Sequence, residues 1–189
     1  IHHHELVDRL REQPNIWEGV TYKEPARVVD VEDGSLTYQV KGKGAQNVTA
    51  GRIIGAAGRN SVVHKALGMQ QDPATYSRMA GILLEDCELP FAGRGHVFLG
   101  GPGPVLAYRV SDDQVRMTID VPLSLPVKQQ RDAVLWDAYS TVLPHALRRP
   151  FFRALERGGL AWASNQNRPR MAYGREGMTL VGDAVGHHH

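Results

Sequence analysis

The sequence predicts a mixed fold, α+β combined with an α/β part. Three observations carry that prediction. Runs with helical period and runs with strand character share the chain. After Tyr76, four strand candidates follow one another closely, as in an antiparallel sheet. Two short apolar runs, in RIIGAAG and MTLVGD, each break at glycine into a turn, as the end of a buried strand does.

Taken in order, HHELVDRLREQ places Leu6, Val7 and Leu10 on one stripe, which predicts a helix ended near Pro14. Three β-like runs follow, IWEGVTYK, ARVVDVED and LTYQVKG, separated by turn residues. RIIGAAGRNSVVHKALGM begins as a short apolar run, turns at Gly58 and continues as a helix. RMAGILLEDCE, GHVFLG, PVLAYRVS and QVRMTIDVP are the strands of the expected antiparallel sheet. PVKQQRDAVLWDAYSTVLP, with a proline near its first turn and Val134, Leu135, Ala138 and Val142 in helical spacing, predicts an amphipathic helix. RPFFRALERG predicts a second, shorter helix ending in glycine, LAWASNQNR a strand, and GMTLVGDA an apolar strand leading into a turn.

Composition bounds what such a fold can do. With 189 residues, 42% hydrophobic and 22% charged, the chain can build one sizeable core or parts of two. A formal net charge of +2 is too small to argue for nucleic acid, and the local run Arg148, Arg149, Arg153, Arg157 reads as a solvated helix face. Cys87 is the single cysteine, so there is no disulfide framework. No apolar run approaches the roughly 20 residues of a spanning helix. Six of nine histidines lie in two terminal triplets. Adjacent histidines point in different directions, so no metal site is expected from them.

The two glycine turns are the places where chemistry is expected. Small residues there let the backbone approach a ligand, and the start of a helix offers free N–H groups to an anion. Strand, Gly-Asp-Ala, helix also puts the Asp183 carboxylate where it can accept hydrogen bonds from sugar or polyol hydroxyls. Either turn alone is an ordinary connection; the pair, in this order around a β-rich block, is more specific.

That ordered set resembles the FAD-dependent monooxygenases of the p-hydroxybenzoate hydroxylase fold, and among them most the squalene monooxygenase (squalene epoxidase) family. IHHHELVDRLRE is similar to that family's Phe-His-His-Gly-Arg-Phe helix start, and AAGRNSVVHKALG to its Ala-Asp-Gly-x-x-Ser-x-x-Arg motif. PGPVLAYRVSDDQVRMTIDVP resembles its Pro-x-Pro-Val-Leu-x-Tyr strand pair, LPHALRRPFFRAL a Pro-x-x-Leu-x-x-Pro-Phe helix, and MTLVGDAVGHHH its Leu-x-Gly-Asp-Ala segment. His189 falls on the histidine that the family continues with Pro-Leu-Thr; further histidines beyond it would instead make the triplet a tag.

The resemblance implies an incomplete FAD-binding Rossmann-like domain, residues 1–75 and 175–189, with an inserted antiparallel-sheet substrate domain, residues 76–174. It implies that Gly182, Asp183 and Ala184 hold the ribitol and pyrophosphate of FAD, with Gly58 and Ser61 against the dinucleotide. Val97, Leu99, Leu106 and Tyr108 would line an apolar substrate pocket; the alternative for these four is an ordinary core face. The chemistry implied is oxygen transfer from O2 to an alkene of a polyprenoid or other terpenoid, through a flavin C4a-hydroperoxide, with catalysis carried by the flavin rather than by a side-chain array.

Departures from the family pattern qualify this. Ala57 stands where the family has Asp, His64 where it has Arg, and Glu5 where it has Arg. These changes remove a carboxylate and a permanent cation, which puts direct use of NADPH in question and leaves a reductase partner as the other electron source. The Gly-x-Gly-x-x-Gly fingerprint is absent, so an internal fragment is expected, inactive and unable to retain FAD alone. Membrane contact would come only through segments outside this chain, leaving a cytoplasmic or peripheral location. Alternative readings are a flavoprotein of the same fold with another reaction (aromatic hydroxylation, prenyl reduction or halogenation) and a non-catalytic flavin-fold module.

Overall fold

The computed structural model describes residues 2–13, 18–69, 74–127, 129–167 and 172–186. Backbone contacts divide the chain into two units, residues 1–12 with 75–165 and residues 13–74 with 166–189.

The first unit is built on a five-stranded sheet. Its strands are β5 (Ala74–Glu85), β6 (His96–Phe98), β7 (Val105–Arg109), β8 (Gln114–Pro122) and β9 (Ala161–Asn167), in the order β6-β7-β8-β5-β9. β8 alternates strictly between half-buried and buried residues, the signature of a strand with one face on a core. Val115, Met117, Ile119 and Val121 point to the core, joined by Ala80, Ile82 and Leu84 of β5 and by Val105 and Ala107 of β7.

Two helices cover that face. α3 (Arg131–Tyr139) contributes Leu135 and Tyr139, and α4 (His145–Arg157) contributes Leu147, Phe151, Ala154 and Leu155. The α4 residues recur at helical spacing, so one stripe meets the sheet. Pro150 lies inside α4. The carbonyl it leaves unpaired belongs to Ala146, which is exposed and open to water. Gly158, at φ +76°, ends the helix in a conformation other residues rarely adopt. Cys87 is buried in this core, and burial raises its thiol above the usual range.

The second unit contains two small sheets. β1 (Ala26–Glu32), β2 (Ser35–Val40) and β3 (Ala45–Thr49) form an antiparallel meander, with a register shift between Val28 and Asp30. β4 (Ile53–Gly55), β10 (Gly174–Arg175) and β11 (Met178–Leu180) form the other, ordered β10-β11-β4, in which β11 and β4 are parallel. Val31, Ile53, Val63, Met178, Leu180, Ala184 and Val185 make its core. Arg175 Nη2 pairs with Asp33 Oδ1 at 2.6 Å, fastening the β10–β11 hairpin to the β1–β2 turn.

Several expected elements change. No strand forms over residues 18–23 of the expected run IWEGVTYK, where Thr21 and Lys23 lack β pairing, and residues 16 and 17 of that run lie outside the described residues. The helix expected over 126–144 begins at Arg131, because Gln130 takes a left-handed backbone at φ 52° that breaks any turn started at Pro126. It ends in a 3-10 turn, Ser140–Val142, before Pro144. α4 starts earlier than expected, at His145, with Pro144 as its N-cap. β3 and β10 form where no strand was expected, each as the partner of a neighbouring strand across a tight turn. His187, His188 and His189, and with them the placement of His189 on a motif, lie outside the described residues.

Candidate functional site

Parallel pairing of β4 with β11 sets Ile53 beside Met178, Ile54 beside Thr179 and Gly55 beside Leu180. Val181 N–H then donates to Gly55 O at 3.1 Å. Both strands therefore finish at one sheet edge, and the chain leaves each through a 3-10 turn, Gly58–Asn60 after β4 and Gly182–Ala184 after β11. Residues that lie far apart in sequence become neighbours because two short strands end in register.

The glycines of these turns carry the geometry. Gly58 has φ +66° and Gly182 φ +61°, and a Cβ at either would meet nothing within 4 Å. Both backbones thus face open space in a conformation that favours glycine. Gly55 is the reverse case: an added Cβ would lie 2.9 Å from Leu180 Cδ2 and 2.9 Å from Val63 Cγ2. Its bare backbone lets α2 (Val63–Ala66) pack close behind the two turns. The helix expected to run on from Gly58 to Met69 is reduced to the 3-10 turn and this single α turn, because Ser61 takes an extended backbone at ψ 126° between them and Gly68, at φ +66°, turns the chain away after them.

Polar groups line the same edge. The Asp183 carboxylate is well exposed, and Arg59 Nε lies 4.0 Å from its Oδ2. A solvated pair at that distance is weak and exchangeable. Ser61 is buried, and its Oγ has no hydrogen-bond partner among the described residues. His64 is buried as well, and its Nε2 meets the Ala184 carbonyl oxygen. Gly58, Ser61, Gly182, Asp183 and Ala184 are therefore brought together; Glu5 belongs to α1 (His3–Arg11) of the first unit, where its Oε2 accepts the His2 N–H at 3.4 Å. Ala57 is exposed and brings no charge to the edge. Arg59, which spacing did not single out, faces Asp183; its position inside the glycine turn was the available signal.

The apolar candidates belong to the other face of the five-stranded sheet. Val97 of β6 is the register partner of Leu106 of β7, so the two stand side by side. Tyr108, two residues on, shares that face and is the partner of Arg116. Leu99 lies just past the end of β6. With exposures of 59% for Val97, 74% for Leu99, 40% for Leu106 and 38% for Tyr108, none of the four belongs to the core of the described residues. Below them the Arg116 guanidinium passes over Gly81, whose added Cβ would be 3.1 Å from Nη2.

The same face holds a polar cluster that sequence reasoning missed. Asn165 Nδ2 donates to Asp120 Oδ1 at 2.8 Å and to Ser77 Oγ at 2.9 Å, and Ser77 Oγ donates to the same Asp120 oxygen. Asp120 offered one hint, as an acid set between the core residues Ile119 and Val121; pairing with Ser77 and Asn165 needed the sheet. On the core side, Tyr139 OH donates to the Asp120 backbone oxygen at 2.7 Å. Burial, reinforced by the Asp120 charge, pushes the Tyr139 phenol up to about 12.

Comparison with known proteins shows the family and the fold. Residues 50–189 match the family model "Squalene epoxidase". Squalene epoxidase 3 of Arabidopsis thaliana is 30% identical over 195 residues, covering 100% of this chain and 37% of that protein. The squalene epoxidase of Candida albicans is 31% identical over 182 residues, 93% of this chain and 33% of its own. The chain thus spans about a third of the length of these relatives. Among solved structures, 2-methyl-3-hydroxypyridine-5-carboxylic acid oxygenase superposes with a TM-score of 0.72 at 18% identity over 96% of this chain and 48% of that one. The flavin-dependent halogenase CmlS superposes at 0.71 and 19% identity, over 96% and 35%. At such identities these two establish the fold.

Proposed function

The chain belongs to the squalene epoxidase family, and from that premise we propose that it supplies part of the flavin site and of the substrate surface of an FAD-dependent monooxygenase. The reaction proposed is transfer of one oxygen atom of O2 to an alkene of a large apolar polyprenoid, the other leaving as water with two electrons and two protons from a reductant. The observation that carries it is the meeting of the Gly58 and Gly182 turns at one parallel-strand edge, beside an exposed carboxylate.

The residues present fit such a cofactor. Two left-handed glycines open onto free space, so a pyrophosphate could approach backbone N–H groups without meeting a Cβ. Asp183 is placed to accept from polyol hydroxyls, exchanging its loose contact with Arg59. Bound there, FAD would supply the oxygen-activating chemistry. The protein's share is to hold the cofactor through Gly58, Ser61, Gly182, Asp183 and Ala184, and to offer the hydrocarbon an apolar wall of Val97, Leu99, Leu106 and Tyr108. In this reading residues 1–75 and 175–189 serve the cofactor and residues 76–174 the substrate.

Reduction of the flavin is assigned to NADPH or to a partner reductase, and one observation favours the partner. Ala57 carries no charge, and the buried His64 ring is turned to a backbone carbonyl, which leaves neither to receive a nicotinamide cofactor's phosphates. A flavoprotein of this fold with a different reaction is the second reading, resting on the same two positions.

The test is to purify the complete gene product, measure flavin by absorbance, and supply squalene, heavy-isotope O2, NADPH and a reductase. Bound flavin and a labelled epoxide are expected. A correctly folded, colourless protein would remove the flavin reading, and turnover of phenols but not squalene would establish the second one. Asp183→Ala should weaken FAD binding about tenfold, the loss of a charge-assisted hydrogen bond.

A further inference from the structure

His64 is 5% exposed and sits in α2, behind the Gly58 turn. Its Nε2 reaches the carbonyl oxygen of Ala184, 120 residues further along the chain. A carbonyl oxygen carries no proton, so this nitrogen must donate. The acceptor belongs to the Gly-Asp-Ala turn, and the residues from Ala184 to Gly186 are buried, so water does not readily replace a lost donor. The other side-chain link shown between the turns, Arg59 to Asp183, is exposed and long. Beyond parallel pairing, an imidazole N–H thus ties the Gly182–Ala184 turn to the segment that follows its neighbour.

We propose that His64 is a positioning residue for the cofactor: its Nε2–H fixes the Gly182–Ala184 turn, and through it the backbone N–H groups and the Asp183 carboxylate presented at the sheet edge. This rests on the flavin reading above. It also accounts for a departure from the family pattern. Histidine at this position gives up a permanent cation yet keeps an N–H donor, and a ring on two torsions loses less conformational entropy as a buried internal strut than a long charged side chain would. The position thereby acts within the protein, with no need to touch the ligand.

Two substitutions in the complete gene product separate donor from bulk. His64→Leu fills similar space without an N–H; His64→Gln keeps an amide nitrogen at about the same reach. FAD affinity is read from flavin fluorescence, and amide exchange over residues 180–186 is read in cofactor-free protein. The expected result is about a tenfold rise in Kd and about tenfold faster exchange for His64→Leu, with His64→Gln within about twofold of wild type on both. Unchanged affinity and exchange in His64→Leu would overturn the proposal, as would a His64→Gln protein as impaired as His64→Leu. If His64→Leu fails to fold, His64→Gln decides alone: parity with wild type supports the donor role and a tenfold loss removes it. If the wild-type protein binds no flavin, the flavin reading fails while the exchange comparison still settles whether His64 fixes the turn.

Discussion

Tyr139 shows how much a single side chain couples in this protein. It is fully buried, packs in the core between sheet and helices, and donates its hydroxyl to the backbone of Asp120, whose side chain organises the opposite face with Ser77 and Asn165. Its phenol is held up at about 12, while the unfolded chain titrates near 10. The raised folded value favours the neutral form, so the stabilisation is complete below about pH 10 and is lost as pH rises towards 12. Denaturation followed across that interval should show stability falling in wild type and a flatter profile in Tyr139→Phe. At neutral pH the same variant should lose about 1 kcal/mol, one hydroxyl hydrogen bond. A wild-type profile no steeper than that of the variant would show that this phenol ionises alike in both states.

Elements with a single clean period were legible in the sequence, and elements defined by their partners were not. β8 and the core stripe of α4 announce themselves through alternation and helical spacing. β3 is exposed throughout and β10 has two residues, so neither carries an apolar pattern; each exists because a neighbour offers its backbone hydrogen bonds. α1 is the opposite lesson, a helix found where expected although it buries no residue. Its termini explain that, with Glu5 accepting the His2 N–H at the start and Arg9 and Arg11 complementing the dipole at the end. At α4 the decisive residue is Phe151, 0% exposed and stacked on Trp136 at 6.1 Å. Phe151→Ala should cost about 3–5 kcal/mol, a large-to-small cavity in a core that cannot collapse around it. A loss under about 1 kcal/mol in chemical denaturation would mean that α4 does not hold the sheet.

For the whole molecule, the informative feature is a sheet with one face sealed and the other carrying exposed apolar groups. Val97, Leu106 and Tyr108 stand on that open face beside Arg116 and the Ser77–Asp120–Asn165 cluster. If the open face serves a hydrocarbon substrate, Leu106→Thr should leave stability within about 0.5 kcal/mol, since the position is partly solvated and threonine suits a strand. It should raise KM for squalene several-fold, about 1 kcal/mol of lost apolar contact, with kcat little changed. Unaltered KM with full stability would take Leu106 out of the substrate surface. Among the described residues no helix is long and apolar enough to cross a membrane.

The sequence by itself determined the mixed fold, the antiparallel sheet after Tyr76 and the two glycine turns, because these rest on local chemistry: period, turn residues and small residues at fixed spacing; the family came from the resemblance of its ordered motifs. Only the tertiary structure decided what those turns do together. β4 and β11 lie more than a hundred positions apart, and nothing local says that they pair in parallel and end at one edge. The same holds for His64 and Ala184, for Ser77 with Asp120 and Asn165, and for the exposure of Val97, Leu99, Leu106 and Tyr108. Alternation along a strand tells two faces apart but not which is covered, since that depends on where α3 and α4 pack. A hydrogen bond between distant segments leaves no periodic trace, because it requires only a donor, an acceptor and a fold that brings them together.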